Sequence, residues 1–214
     1  MAVPRKQTAA GRDNDRPGSD TRRRVVDAAA QVLKERGLSG TTTKEISRAA
    51  GLSEGTLYNY FSDKLDLLLA VLQDLLPRFR SVSGLLTDRA GKATVEENLR
   101  LVTRAALAFY RDLVPYGTAV VAEPELLQRL RVVLVKQSMG PQRAYEPLAA
   151  YLEEERELGR VRSDVDPLAA AQLLYGACFQ QSFIDVMSPA PETKAKAERR
   201  AADLVRQLMR GLAP

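Results

Sequence analysis

The 214-residue sequence predicts an all-α fold, and three observations carry that reading. From Ala93 onward the apolar residues recur at helical spacing, and no stretch alternates as a strand would. Glycine and proline punctuate the chain at helix-length intervals, at Gly37, Gly51, Pro77, Pro115 and Gly159. Between residues 42 and 61 two helix-capping signatures flank a single glycine, the pattern of two short helices joined by a tight turn. The expected organisation is a mobile arm over 1–19, a small helical head over 20–66 and a larger helical domain over 67–214.

Composition narrows the function classes. No apolar run approaches the roughly 20 residues that span a bilayer. The Arg22-Arg23-Arg24 run lacks the apolar segment of an export signal, because Asp27, Gln31, Lys34 and Glu35 interrupt it. The single Cys178 permits no internal disulfide, so a cytoplasmic protein is expected. Histidine is absent, which removes the commonest general base and the commonest metal ligand. No cofactor, no metal and no catalytic residue is therefore expected, and a helical enzyme built on Glu123 and Asp185 has little support. Charge is asymmetric: residues 1–64 carry 12 Lys/Arg against 8 Asp/Glu, a net of +4, whereas the remaining 150 carry a net of +1. A basic head suits a polyanion.

In chain order, residues 1–19 hold two prolines, two glycines and mixed charges with no apolar period, as a mobile arm would; Arg5, Lys6, Arg12 and Arg16 could reach phosphates or a minor groove. A first helix is expected from an Asp20 cap to a Gly37 stop, with Val25, Ala29, Val32 and Leu33 on one face. It braces the pair that follows, which has too few apolar residues to bury its own inner side. Thr42 and Glu45 have capping-box spacing, and Ile46, Ala49 and Ala50 form the inner face of a second helix. Gly51, Leu52 and Ser53 make the turn, and Ser53 caps a third helix held by Leu57 and Phe61. That leaves Glu54, Gly55, Thr56, Tyr58, Asn59 and Tyr60 to face outward. About nine helical residues would measure about 13 Å, a match for a major groove about 12 Å wide.

A leucine stripe from Leu65 to Leu76 predicts a fourth helix, stopped or bent at Pro77, and 81–92 reads as a loop. Helices are then expected from Thr94 to Leu113, ending before Pro115, and from Pro124 to Gln137. Another starts at Gly140-Pro141 and runs to Leu158, with Pro147 bending it or marking its first turn. Asp166-Pro167 opens a helix to Met187 that is apolar on more than one face, and Ser188 to Pro191 turns into a last helix from Glu192 to Leu212. Cys178 reads as a small buried hydrophobe, and Glu153-Glu154-Glu155 as a solvated face.

Thr43, Ile46, Ala50 to Ser53, Gly55 to Tyr58, Tyr60-Phe61, Lys64 and Leu67-Leu68 together resemble the TetR family of bacterial transcriptional regulators. The resemblance is specific over 21–72; Gly159 to Arg162 and Asp166-Pro167 extend it weakly. It implies a three-helix DNA-binding head, a connecting fourth helix, and a larger domain that dimerises and holds an effector. It also implies backbone contact by Thr43 and Lys44, contact near base edges by Glu54, Gly55, Thr56 and Asn59, and phosphate contact by Tyr58, Tyr60 and Lys64. Two residues depart from the family pattern. Ser47 stands where alanine is usual, and Glu54 either accepts from a cytosine amino group or, as favoured here, is a first-turn helix charge repelled by phosphate.

The expected function is a homodimeric repressor that binds a near-palindromic operator in double-stranded DNA and is released by a small-molecule effector. The dimer contact is expected from 166–187 and 191–211, because one short helix reads only a few base pairs. Phe109, Tyr110, Tyr145, Tyr175 and Phe179 are candidates for a mostly apolar effector pocket, with Gln137, Gln172, Gln180 or Glu123 as its polar groups. Simple core packing competes for each aromatic residue. A ligand-independent architectural DNA-binding protein is the alternative function.

Overall fold

The computed structural model describes residues 17–137, 141–189 and 193–214. The arginines and lysine at positions 5, 6, 12 and 16, most of the expected arm, the Gly140 start signal and residues 190–192 lie outside the described residues. Among the described residues the chain is helical, with no strand. It divides into two compact units, Met1–Leu67 and Leu68–Pro214.

The first unit holds α1 (Pro17–Arg36), α2 (Thr43–Ala50), α3 (Glu54–Tyr58) and the first turn of α4 (Lys64–Gly84). Helix α1 begins three residues before the expected Asp20 cap, so Asp20 lies in its first turn and favours the positive end of the helix dipole. Gly37, at φ 66°, ends it in the left-handed conformation that glycine adopts without strain. Val25, Ala29, Ile46, Leu57 and Phe61 are buried and make the small core. Ala49, expected on the inner face of α2, is exposed, and Ser47 is buried instead with its hydroxyl bonded to the Lys44 carbonyl. The helix crossing needs a side chain no larger than serine there, and the internal bond satisfies the hydroxyl that burial removes from water.

Helix α3 is shorter than expected, five residues or about 7.5 Å at 1.5 Å per residue. Asn59 and Tyr60 close onto the carbonyls of Thr56 and Leu57 through tight three-residue turns. Phe61 is thereby brought back over the core. Helix α4 opens at Asp63, whose side chain accepts from the Asp66 amide at 2.7 Å. It runs through Pro77 to Gly84, so of the expected stop or bend the stop does not occur, and part of the expected loop is helix.

In the second unit, α5 (Val95–Ala122), α6 (Pro124–Lys136), α7 (Glu146–Glu157), α8 (Pro167–Met187) and α9 (Lys194–Leu212) follow. Helix α5 packs on α8 and α9, and α7 packs on α8. Helix α5 does not end before Pro115. Buried Val114, Tyr116 and Val120 carry it on to Ala122; their burial outweighs the roughly 3 kcal/mol that an internal proline costs. A short 3-10 turn, Pro141–Ala144, precedes α7, and Pro147 lies in the first turn of α7 rather than bending it. Asp166 caps α8 by accepting from the amides of Leu168 and Ala169. Helix α9 starts at Lys194 behind a Thr193 cap, two residues later than expected.

The acidic run is not a uniformly solvated face. Glu155 is fully buried, with one carboxylate oxygen 3.1 Å from Arg160 Nε and the other accepting from the Gly91 amide at 3.3 Å. Asn98 donates to the hydroxyl of neighbouring Tyr151 at 3.0 Å and accepts from Arg89, tying the loop before α5 to α7. Sequence spacing alone puts Glu155 on a charged helix; the partners that permit its burial come from 64 residues upstream and from past Gly159.

Candidate nucleic-acid interface

The capping box at Thr42 is complete: its side chain accepts from the Glu45 amide, and Glu45 accepts from the Thr42 amide. Helix α2 closes in a glycine cap, with Gly51 at φ 67°, its amide on Arg48 O and the Leu52 amide on Ser47 O. Two residues later Ser53 caps α3 by accepting from the Thr56 amide at 3.1 Å. These local bonds fix the turn and with it the direction of α3. Leu57 is fully buried beneath the helix.

Glu54, Gly55, Tyr58 and Asn59 are exposed, and Thr56 is half-buried. Thr43, the first residue of α2, stands beside Tyr58, with their hydroxyl oxygens 3.1 Å apart. Lys44 follows it in the open. The structure thus gathers Thr43, Lys44, Gly55, Thr56, Tyr58 and Asn59 at the first turn of α2 and along α3. Gly55 meets nothing closer than 3.8 Å where a Cβ would stand, so backbone can approach a ligand there. Hydroxyls, an ammonium and open backbone suit an anionic, groove-shaped partner. Tyr60 differs from the rest: it is half-buried, and its hydroxyl lies against Gly18 of α1. Lys64, at the start of α4, donates its ammonium to the Leu38 carbonyl at 2.9 Å.

Other cations of the head have internal partners. The Arg22 guanidinium lies 5.0 Å from the centre of the Phe61 ring. Arg24 donates to the Ala50 carbonyl at 2.8 Å, and Arg36 pairs with Glu45.

All five aromatic pocket candidates lie in one cluster in the second unit. Its centre is Phe79 of α4, which sequence reasoning passed over because it lies past Pro77, where the leucine stripe was expected to stop or bend. The Phe79 ring is 4.9 Å from Phe109, 5.8 Å from Tyr110 and 5.3 Å from Tyr175. Tyr110 reaches Phe179 at 5.7 Å, and Tyr145 reaches Tyr175 at 6.2 Å. Burial pushes the Tyr110 phenol far above its ordinary value, and the titratable groups that add to the shift are Tyr145, Cys178 and Tyr175. Burial within the cluster is the largest cause. Of the polar groups expected beside it, Gln137, Gln172 and Gln180 are exposed and Glu123 is half-buried. Asp185, offered as an enzymatic carboxylate, pairs with Arg200 at 2.7 Å.

Comparison with known proteins bears on the head and on the whole fold. The profile for bacterial regulatory proteins of the tetR family matches residues 25–71. The fatty acid metabolism regulator protein of Bacillus subtilis is 26% identical over 152 residues, 71% of this chain and 76% of that one. The HTH-type transcriptional regulator BetI of Cronobacter sakazakii is 26% identical over 200 residues, 90% and 93% of the two chains. A crystal structure of a TetR-family transcriptional regulator from Mesorhizobium loti superposes with a TM-score of 0.74 at 21% identity, covering 94% of this chain and 100% of the other. The regulator FadR from Bacillus subtilis, solved in complex with stearoyl-CoA, superposes at 0.63 with 23% identity, covering 88% and 98%. The helix-turn-helix within residues 25–71 is thus that of the tetR family of bacterial regulatory proteins, and the all-helical second unit that follows in the chain shares the fold of TetR-family transcriptional regulators.

Proposed function

We propose that this chain is a homodimeric repressor that binds a near-palindromic operator through α3 and the start of α2, and leaves it when a mostly apolar small molecule binds the second unit. The observation that carries the reading is the exposed set Thr43, Lys44, Gly55, Thr56, Tyr58 and Asn59 on a turn fixed by two caps. Gly55, Thr56 and Asn59 face base edges, while Thr43, Lys44, Tyr58 and Tyr60 hold the phosphate backbone. Lys64 belongs to the same site, through the loop its ammonium holds. A five-residue recognition helix reads too few base pairs for a specific site alone, so two-fold repetition supplies the remainder.

Helix α8 supports the dimer. Leu173, Phe183, Ile184, Val186 and Met187 are all exposed in the single chain, an apolar stripe that a second copy would cover together with part of α9. The aromatic cluster around Phe79 supports an apolar effector. Two similar proteins point the same way by name, one a regulator of fatty acid metabolism and one crystallised with stearoyl-CoA. The effector favours a form of the dimer whose heads no longer match successive major grooves, a population shift within the cytoplasm at the nucleoid.

Selection of duplexes from a random pool by the full-length protein tests the reading, with binding to selected and random duplexes followed across salt. A palindromic consensus, lost by Tyr58→Ala combined with Lys44→Ala, is expected. Equal affinity for both duplexes would leave a non-specific electrostatic binder, the architectural alternative.

A further inference from the structure

The geometry points to Arg24 and Lys64 as positioning residues for DNA recognition, each clamping one end of α2 by a bond to a main-chain carbonyl instead of contacting phosphate. The inference rests on the DNA-binding reading above.

Consider what α2 leaves unsatisfied. Its last carbonyls have no partner within the helix. The glycine cap takes care of two, with the Gly51 amide on Arg48 O and the Leu52 amide on Ser47 O. The cap leaves the Ala49 and Ala50 carbonyls unused, and Arg24 Nη2 reaches that of Ala50 from α1 at 2.8 Å. The guanidinium also lies against the turn itself, since a Cβ on Gly51 would stand 3.5 Å from that same nitrogen. A cation at the negative end of a helix dipole is favourable as well as hydrogen-bonded. The other end of α2 is held in the same way. The Leu38 carbonyl, in the loop between α1 and α2, accepts both the Thr41 amide at 3.3 Å and the Lys64 ammonium at 2.9 Å. Lys64 comes from the first turn of α4, so the loop before α2 is tied to the chain just past α3.

One cation therefore sets the turn from which α3 departs, and the other sets the loop from which Thr43 and Lys44 start. Both residues look like phosphate contacts in a basic head. Their bonds are instead inward, and the cation left in the open at the start of α2 is Lys44.

Counterion release separates the two roles. Each phosphate contact adds about 0.9 to the slope of log affinity against log salt, whereas a residue that only aims its neighbours adds none. The probe is a duplex selected from a random pool on the full-length wild-type protein, titrated with Arg24→Gln, Lys64→Gln and, as the phosphate-contact control, Lys44→Gln. Arg24→Gln and Lys64→Gln are expected to lose about tenfold or more in affinity at fixed salt, the scale of one charge-assisted bond, with the wild-type slope retained. In a homodimer each substitution acts twice, so Lys44→Gln is expected to lose about 1.8 in slope. A loss of that size for Arg24→Gln or Lys64→Gln would make that residue a phosphate contact and overturn its positioning role. Unchanged affinity would overturn it equally. Arg24→Lys, which keeps charge and stem, covers the case in which the glutamine variant does not fold: a positioning guanidinium predicts that the affinity loss persists, and a phosphate contact predicts near wild-type binding. If the wild-type protein enriches no duplex at all, it is the DNA-binding reading that fails.

Discussion

The hydroxyls of Thr43 and Tyr58 stand 3.1 Å apart, one from the first residue of α2 and the other from the last of α3. Two hydroxyls bonded to each other use one proton between them and leave one for an outside acceptor. The pair is thus a single donor unit that joins the start of α2 to the end of α3. Tyr58→Phe and Thr43→Val should each weaken operator binding by about five- to tenfold, and the double variant should lose less than the product, with a coupling of about 0.5–1.5 kcal/mol. The Tyr58 side chain is 52% exposed, so neither change should move the thermal midpoint by more than a degree or two. A double-mutant cycle by fluorescence anisotropy measures the coupling; strictly multiplicative losses would mean that the two hydroxyls act separately.

Gly51 tests the turn from the backbone side. Its φ of 67° is left-handed, and a Cβ there would meet only ordinary contact with the Arg24 side chain. The cost of Gly51→Ala is therefore conformational, about 1–2 kcal/mol, with no steric part. Chemical unfolding of the full chain, read by amide exchange at Ile46 and Leu57, should report that loss in the head. A larger loss would mean that the turn cannot yield to admit a methyl group.

The head was readable from sequence because its signals are local. Thr42 with Glu45, Gly51 and Ser53 each act within three or four residues, and each cap forms where its spacing places it. The features that sequence reading missed depend on partners far along the chain. Pro115 reads as a stop until Val114, Tyr116 and Val120 are known to be buried on either side of it. Glu155 reads as solvated until Arg160 and Gly91 surround it. Phe79 lies past a proline that does not break its helix, so the centre of the aromatic cluster was absent from a list that named the cluster's five other members. The inward bonds of Arg24 and Lys64 escaped for the same reason, each spanning 26 residues.

Glu155 gives the second unit a measurable weak point. Its carboxylate is fully buried against Arg160, which is itself 30% exposed and can regain water. Glu155→Ala should cost about 2–3 kcal/mol, somewhat under the 3–5 kcal/mol of a pair buried on both sides. Glu155→Gln keeps the shape and one acceptor for the Gly91 amide and should cost less. Thermal unfolding of the two variants orders them; equal losses would assign the effect to the lost charge and not to packing.

Cys178 should be inert in the folded protein. It is buried on α8, and burial pushes its thiol up to about 12. The thiolate is the reacting form, so at pH 8 the native protein should react with a disulfide reagent only through its small opened fraction, and at the full rate of a free thiol once denatured. Raising the pH from 7 to 9 should leave the ratio between native and denatured rates nearly constant. Rapid labelling of the native protein would show that the aromatic cluster beside Cys178 opens on its own, without an effector.

The exposed stripe of α8 makes the sharpest claim about assembly. Leu173 and Ile184 are 68% and 46% exposed, three turns apart on one side of the helix, while Ala171, Leu174 and Cys178 on the other side are buried. A charge on the stripe costs the single chain little, since the side chain already faces water. In a dimer it would be buried without a partner, at several kcal/mol per copy. Leu173→Glu combined with Ile184→Glu should therefore leave helical circular dichroism intact, halve the mass seen by light scattering at micromolar concentration, and abolish binding to a palindromic duplex. A variant that stays dimeric would place the contact on another surface, and a monomeric wild-type protein would overturn the dimer itself.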